Sequence, residues 1–210
     1  MATTVYASVA EVKAYLGLTS SSQDANLAIA LEAACRGIDN YCGRRFWLDD
    51  AASPLVFTPE WYDLLKLPDI GSTTGLTILM DTASDGVYDT AWVADARTGY
   101  GYRLEPVNAL AASESVEHGP YTQARALAGQ FPIYPYSMQV TAQWGWPAVP
   151  GPIKDATLLW TSRVWKRKDA VLGVAGDQDV GFLELARRMD PDIKRAINPY
   201  RRVSVLGVGA

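Results

Sequence analysis

The side chains able to carry chemistry are few and widely spaced. His118 is the only histidine. It stands in a Glu-His-Gly-Pro stretch with no nucleophile or carboxylate spaced to complete a Ser-His-Asp or Cys-His arrangement. A surface-loop histidine is the simpler reading. Cys35 and Cys42 are the only two cysteines. Within one helix they are two turns apart, roughly 10 Å between Cα atoms, too far to bridge. They read as small buried hydrophobes in a reduced chain. One histidine and two thiols cannot supply the four ligands of an ordinary zinc site. Asp81, Asp85, Asp89 and Asp95 lie four to six residues apart. A calcium loop is tighter and is closed by a glutamate at its twelfth position, so these aspartates read as turn residues. Gly99-Tyr100-Gly101 has no following helix to receive a phosphate, and a tight turn explains it. The expectation is therefore no catalytic residue, no metal site, no cofactor and no enzymatic activity.

Two further groups admit a binding role. Seven Trp and eleven Tyr are concentrated in the middle of the chain. Trp61, Tyr62, Trp92, Tyr100, Tyr102, Tyr134, Tyr136, Trp144 and Trp146 could stack sugars if they lined one exposed sheet face. Aromatic rings on a small sheet more commonly serve as core and interface anchors. Lys166-Arg167-Lys168 could touch phosphates, but a cationic run in the last turn of a helix is also what the helix dipole favours. The net charge of −4 speaks against a protein that holds nucleic acid by neutralising phosphates.

The elements that must position these groups fall into three zones. The 210 residues are 49% apolar and 20% charged, ordinary values for a globular chain with a sizeable core. The N-terminus carries no signal-peptide pattern. No stretch approaches the ~20 apolar residues of a membrane span, so the chain is expected in the cytoplasm when made, without a membrane partner.

The first zone, 1–45, reads as two helices. Ser8 and Glu11 form a capping-box pattern, Val9, Val12, Tyr15 and Leu16 recur at helical spacing, and Gly17 suits a left-handed cap. Leu27, Leu31, Ala34, Ile38 and Tyr41 draw one stripe of a longer helix, with Arg44 and Arg45 beyond its end. In the second zone, 46–146, the period shifts toward two. Runs at 55–57, 64–67, 76–80, 88–93, 100–104 and 138–144 read as strands of an antiparallel sheet or sandwich. Asp85-Gly86 and Thr98-Gly99 mark turns. The stretch 108–130 reads as a short helix or a long loop, and the prolines of 131–136 keep that stretch out of any sheet centre.

The third zone opens on Pro147, Pro150 and Pro152. It predicts a helix over 153–168 with Ile153, Ala156, Leu159, Trp160 and Val164 on its buried face. A Gly/Asp-rich loop follows at 173–181, and 182–189 fits either a strand or a helix. Asp190-Pro191-Asp192 then starts a short helix that stops before Pro199. The fold class predicted is α+β: a small helical bundle from the N- and C-terminal segments, 1–45 and 147–202, around a β-rich insertion, 46–146, with an extended tail at 203–210.

Taken in order, these pieces resemble a family. The N-terminal SVAEVKAYLGL and DANLAIALEAACRGIDNYCGRRF are similar to the opening of the head–tail connector, or adaptor, proteins of tailed bacteriophages. WGWPAVPGPIKDATLLWTSRVWKRKDAVLGVAG and MDPDIKRAINPYRR are similar to that family's Trp-Pro approach, its Pro-x-x-Ile-Lys helix and its closing Pro-Tyr-Arg-Arg. The resemblance covers about 5–46 and 140–202. It implies a structural virion protein in the neck between head and tail. It also implies a homo-oligomeric ring, usually of twelve subunits, seated on the portal protein and receiving a stopper or tail-terminator protein. Genomic DNA would pass through the lumen without sequence-specific contacts. A β insertion of this size departs from the smallest members, and its role is not given by the resemblance. The other reading is an aromatic-rich β module that binds carbohydrate.

The candidate partner interface lies at the end of the chain: Tyr200, Arg201, Arg202, Val203, Val205, Leu206 and Val208. An apolar tail of this kind is poorly suited to water. Its small and β-branched residues suit strand addition to another chain, a neighbour or the portal; a frayed terminus is the alternative.

Overall fold

The computed structural model describes residues 4–110, 119–169 and 190–202. His118, the loop 173–181, the stretch 182–189 and the tail 203–210 lie outside the described residues. The chain divides into two compact units, one of Phe46–Ala148 and one made from its two ends. The class is α+β, as the periodicity predicts.

In the helical unit, α1 (Val9–Leu16) begins at the expected cap. The Ser8 hydroxyl accepts from the Glu11 amide, and the Glu11 carboxylate accepts from the Ser8 amide. Gly17 ends the helix at φ 69°. Helix α2 (Asp24–Cys42) buries Leu27, Ala30, Leu31, Ala34, Cys35, Ile38 and Cys42. The stripe thus runs through Cys42, and Tyr41 is left half-exposed at its border. Helix α3 (Gly151–Asp169) takes Pro152 in its first turn, where a missing amide costs nothing. Its most buried line is Ile153, Ala156, Thr157 and Thr161, while Leu159, Trp160 and Val164 are only partly covered. Buried Thr157 returns its hydroxyl to the Ile153 carbonyl at 2.8 Å, so its polarity is satisfied within the helix. The Trp160 ring fills a notch at Gly37 of α2, where a Cβ would stand 2.3 Å from the ring. That close approach accounts for a glycine in mid-helix, which by propensity alone costs about 1 kcal/mol relative to alanine. Helix α4 (Pro191–Ile197) starts at Asp190, whose carboxylate accepts from the Asp192 amide at 2.8 Å and pairs with Arg163. It buries Ile193 and Ile197.

The β unit is one six-stranded sheet in the order β1-β6-β2-β3-β4-β5, with β5 also paired to β2. The strands are β1 (Ser53–Phe57), β2 (Leu64–Met80), β3 (Thr90–Ala94), β4 (Gly101–Glu105), β5 (Tyr121–Ala128) and β6 (Met138–Trp144). The pairing β2–β3–β4–β5–β2 closes into a small ring. Strand β2 permits this because it is long and irregular. Its first part pairs with β5, from Leu64↔Arg125 to Ile70↔Tyr121. Its last part pairs with β3 and β6, as at Ile78↔Trp92 and Ile78↔Val140. Register shifts between Ile70 and Thr77 bend it between the two. The predicted runs 64–67 and 76–80 are thus the two ends of one strand.

Two features differ from the sequence expectation. Strand β5 occupies part of the stretch read as helix or loop. Its sequence, YTQARALA, has weak strand propensity, but pairing on both sides overrides it, and small Ala124 is fully buried in the narrow interior. The turn at Thr98-Gly99 exists, with Gly99 at φ 68°, but the strands it joins run parallel, Val93↔Gly101 and Ala94↔Tyr102. So short a return requires Asp95 at φ 57°. It also requires glycine at 101, where a Cβ would lie 2.0 Å from the Ala96 carbonyl oxygen. The core of this unit gathers Leu65, Ile70, Ile78, Trp92, Phe131, Met138, Val140 and Trp144. Trp92 stacks on Phe131 at 4.3 Å between centroids.

Candidate assembly interface

The C-terminal end of α2 is where the last described residues are secured. Gly43 closes the helix at φ 64°, its N–H donating to the Asp39 carbonyl at 2.8 Å. A helix end leaves carbonyls without intrahelical donors. One of these, on Cys42, accepts from the Arg202 N–H at 2.7 Å. The Cys42 thiol donates to the Ile197 carbonyl at 3.8 Å, and the Tyr41 hydroxyl reaches Asn198 Oδ1 at 3.4 Å. The Arg201 guanidinium lies over the Tyr41 ring, 5.7 Å from its centroid, and its charge sits at the end of α2 where the dipole is negative. A single 3-10 turn, Asn198–Tyr200, leads the chain into this position.

Arg201 and Arg202 of the predicted interface therefore lie against α2, and Tyr200 ends the 3-10 turn that leads to them. Val203, Val205, Leu206 and Val208 lie outside the described residues. The sequence pattern missed the part played by Tyr41 as the seat for Arg201. Its place at the border of the apolar stripe, three residues before the double arginine of the first zone, was the available signal.

Elsewhere in the same unit, Lys154 at the start of α3 holds Glu11 of α1 at 2.5 Å. The Lys154 hydrogen bond, with those from Ser8, lowers the Glu11 pKa to about 2. The Tyr6 hydroxyl donates to Asp39, which also pairs with Arg36 at 3.1 Å. Burial raises the Asp39 carboxyl above the ordinary range against these two partners.

The other candidates resolve into structure. Cys35 and Cys42 are free and buried, and burial pushes each thiol up to about 11, which suppresses the thiolate. The buried Asp81 carboxylate accepts from the amides of Asp85 and Gly86 at 3.3 and 2.9 Å and so shapes its own turn. Asp95 pairs with Arg103 at 2.7 Å. Among the described residues no cluster of His, Cys, Asp or Glu could hold a metal ion. The aromatic set divides. Trp92, Tyr102, Trp144 and Trp146 are buried, whereas Trp61, Tyr62, Tyr100 and Tyr136 are exposed. One face of Trp61 is occupied by Lys66, its Nζ 4.3 Å from the centroid. Lys166 is exposed in the last turn of α3. No helix among the described residues is long and apolar enough to cross a membrane.

No protein-family model and no curated protein matches the chain. Solved structures do. A chain in the neck of an empty gene transfer agent particle, computed with C6 symmetry, superposes with a TM-score of 0.56 at 22% identity, covering 99% of this chain and 98% of that one. A chain in the virion of a native gene transfer agent particle gives 0.54 and 22% over the same shares. The fold is thus shared over its full length, helical ends and β region together.

Proposed function

We propose that the chain is a non-enzymatic structural subunit of the neck of a phage-like particle, an adaptor that forms a ring between the portal and the next neck or tail protein. The observation that carries this reading is the end-to-end structural match with a neck chain of a gene transfer agent particle, a phage-like particle. In this reading the helical ends, 1–45 and 147–202, are the connector core and residues 46–146 its insertion; the match extends over both regions. The sixfold symmetry applied to that neck is compatible with a ring of six or twelve copies. A ring needs a heterologous contact that closes on itself, and the anchored end at Tyr200, Arg201 and Arg202 is suited to direct the following residues toward a neighbour or the portal. The acidic balance of the chain fits a lumen through which DNA slides without being gripped.

The carbohydrate-binding reading finds less support. Four of its nine candidate rings are in the core, and Trp61 is capped by Lys66. Native mass spectrometry and negative-stain imaging of the purified chain, alone and with portal protein from the same particle, test between the two. The adaptor reading expects rings seated on portal. A chain that ignores portal and binds polysaccharide as a monomer overturns it.

A further inference from the structure

Every strand of the β unit has at least two neighbours except β1. It pairs with β6 alone, from Ser53↔Ala142 to Phe57↔Met138. Its first four residues are exposed, including Leu55 at 40% and Val56 at 43%. Natural edge strands are commonly shielded by charge, by extreme shortness or by a covering segment. Ser-Pro-Leu-Val-Phe carries no charge, and Pro54 is its only blunting feature. The remaining sheet hides its edges by closing on itself, so β1 is the one open template among the described residues.

The chain also contains a segment fitted to such a template. Residues 203–210, Val-Ser-Val-Leu-Gly-Val-Gly-Ala, are uncharged and rich in β-branched and small side chains. They follow directly on Arg202, whose amide is fixed to α2 at Cys42. Eight extended residues reach about 26 Å, and a five-residue strand spans about 17 Å. The tail can therefore cover the whole of β1, apolar surface on apolar surface, with no charged side chain to desolvate on either side.

We infer that β1 is the acceptor edge for residues 203–210 of a neighbouring copy of the chain, which add to it as a further strand. The inference rests on the ring reading above. In a closed ring each subunit gives one tail and receives one, so every edge is covered. The contact is main-chain pairing, with Leu55 and Val56 supplying side-chain packing.

The test mixes two populations of full-length chain on portal. One carries Leu55→Cys or Val56→Cys, and the other carries a cysteine in place of Val203, Val205, Leu206 or Val208. Native Cys35 and Cys42 are buried and do not compete. Mild oxidation should join the two populations into disulfide-linked pairs for at least one combination in register. The same assembled samples, probed by hydrogen exchange, should show the alternate β1 amides that do not pair with β6 exchanging at least tenfold more slowly than in free subunits. That protection should vanish in chains ending at Arg202. Imaging of the same grids separates the two readings. Absence of rings defeats the adaptor proposal. Rings with no tail-to-β1 link and freely exchanging β1 amides overturn this inference alone. So do β1-to-β1 links formed without any tail-to-β1 link.

Discussion

Glycines in the β unit mark places where backbone meets backbone, and one in the helical unit marks a place where a side chain meets backbone. A Cβ at Gly71, Gly101 or Gly145 would stand 2.7, 2.0 or 1.8 Å from a carbonyl oxygen, whereas at Gly37 in α2 the nearest atom belongs to the Trp160 ring. Main-chain crossings in a closed set of strands cannot yield, while an indole at a helix crossing can shift by tenths of an ångström. The shape of the β unit therefore depends on glycine at these three positions. The helical unit holds its shape through caps, notches and one anchored terminus, and it carries the segment that leads out of the described chain.

The largest effect that would break this contrast is expected at Gly145. It sits at φ 114° with no room for a Cβ, so Gly145→Ala should prevent the β unit from folding, read as loss of soluble chain or of its cooperative transition. Phe131→Ala removes a fully buried ring from the stack with Trp92 and should cost about 3–5 kcal/mol in denaturant unfolding. In the helical unit Gly37→Ala sets two effects against each other. Helix propensity predicts a gain of about 1 kcal/mol, and overpacking against Trp160 predicts a loss of about 1–3 kcal/mol. The packing account expects a net loss, and a gain would remove the notch from it. Arg201→Ala should cost about 0.5–1 kcal/mol through its contact with Tyr41, and Tyr41→Leu should make that second change silent.

The smallest effect is an acid one. Glu11 has its pKa lowered in the fold, from 4.5 to about 2, chiefly by Lys154. A depressed carboxylate stabilises the fold above its unfolded pKa and stops doing so as pH falls through the folded value. The tie of α1 to α3 should therefore weaken between about pH 4.5 and 2, and Glu11→Gln should flatten the pH dependence of stability in that window alone. An unchanged profile in the variant would show that the exposed pair contributes nothing, as is common for surface ion pairs.

The helical elements were legible in the sequence because their signals are local. Ser8 and Glu11, Gly17, Gly43 and Asp190-Pro191 each act within a few residues of where they stand, and the structure uses each as a cap. The β unit was legible only in part because its determinants are far apart in the chain. Strand β5 is made by neighbours on two sides, and its alanines point toward helix when read alone. The parallel return at Gly101 depends on the clearance from Ala96, which no period reveals. At the candidate interface, Tyr200, Arg201 and Arg202 could be named from the order of residues. Their seat on Tyr41 and Cys42 could not, because it joins positions more than 150 residues apart.

The role proposed for the chain is to join a head to a tail, with no chemistry of its own. Particles assembled with every component except this chain test it most directly, by electron microscopy of the products. The account predicts heads with portal and free tails side by side, and joining restored when the purified chain is added back. Normally joined heads and tails in its absence would contradict the account.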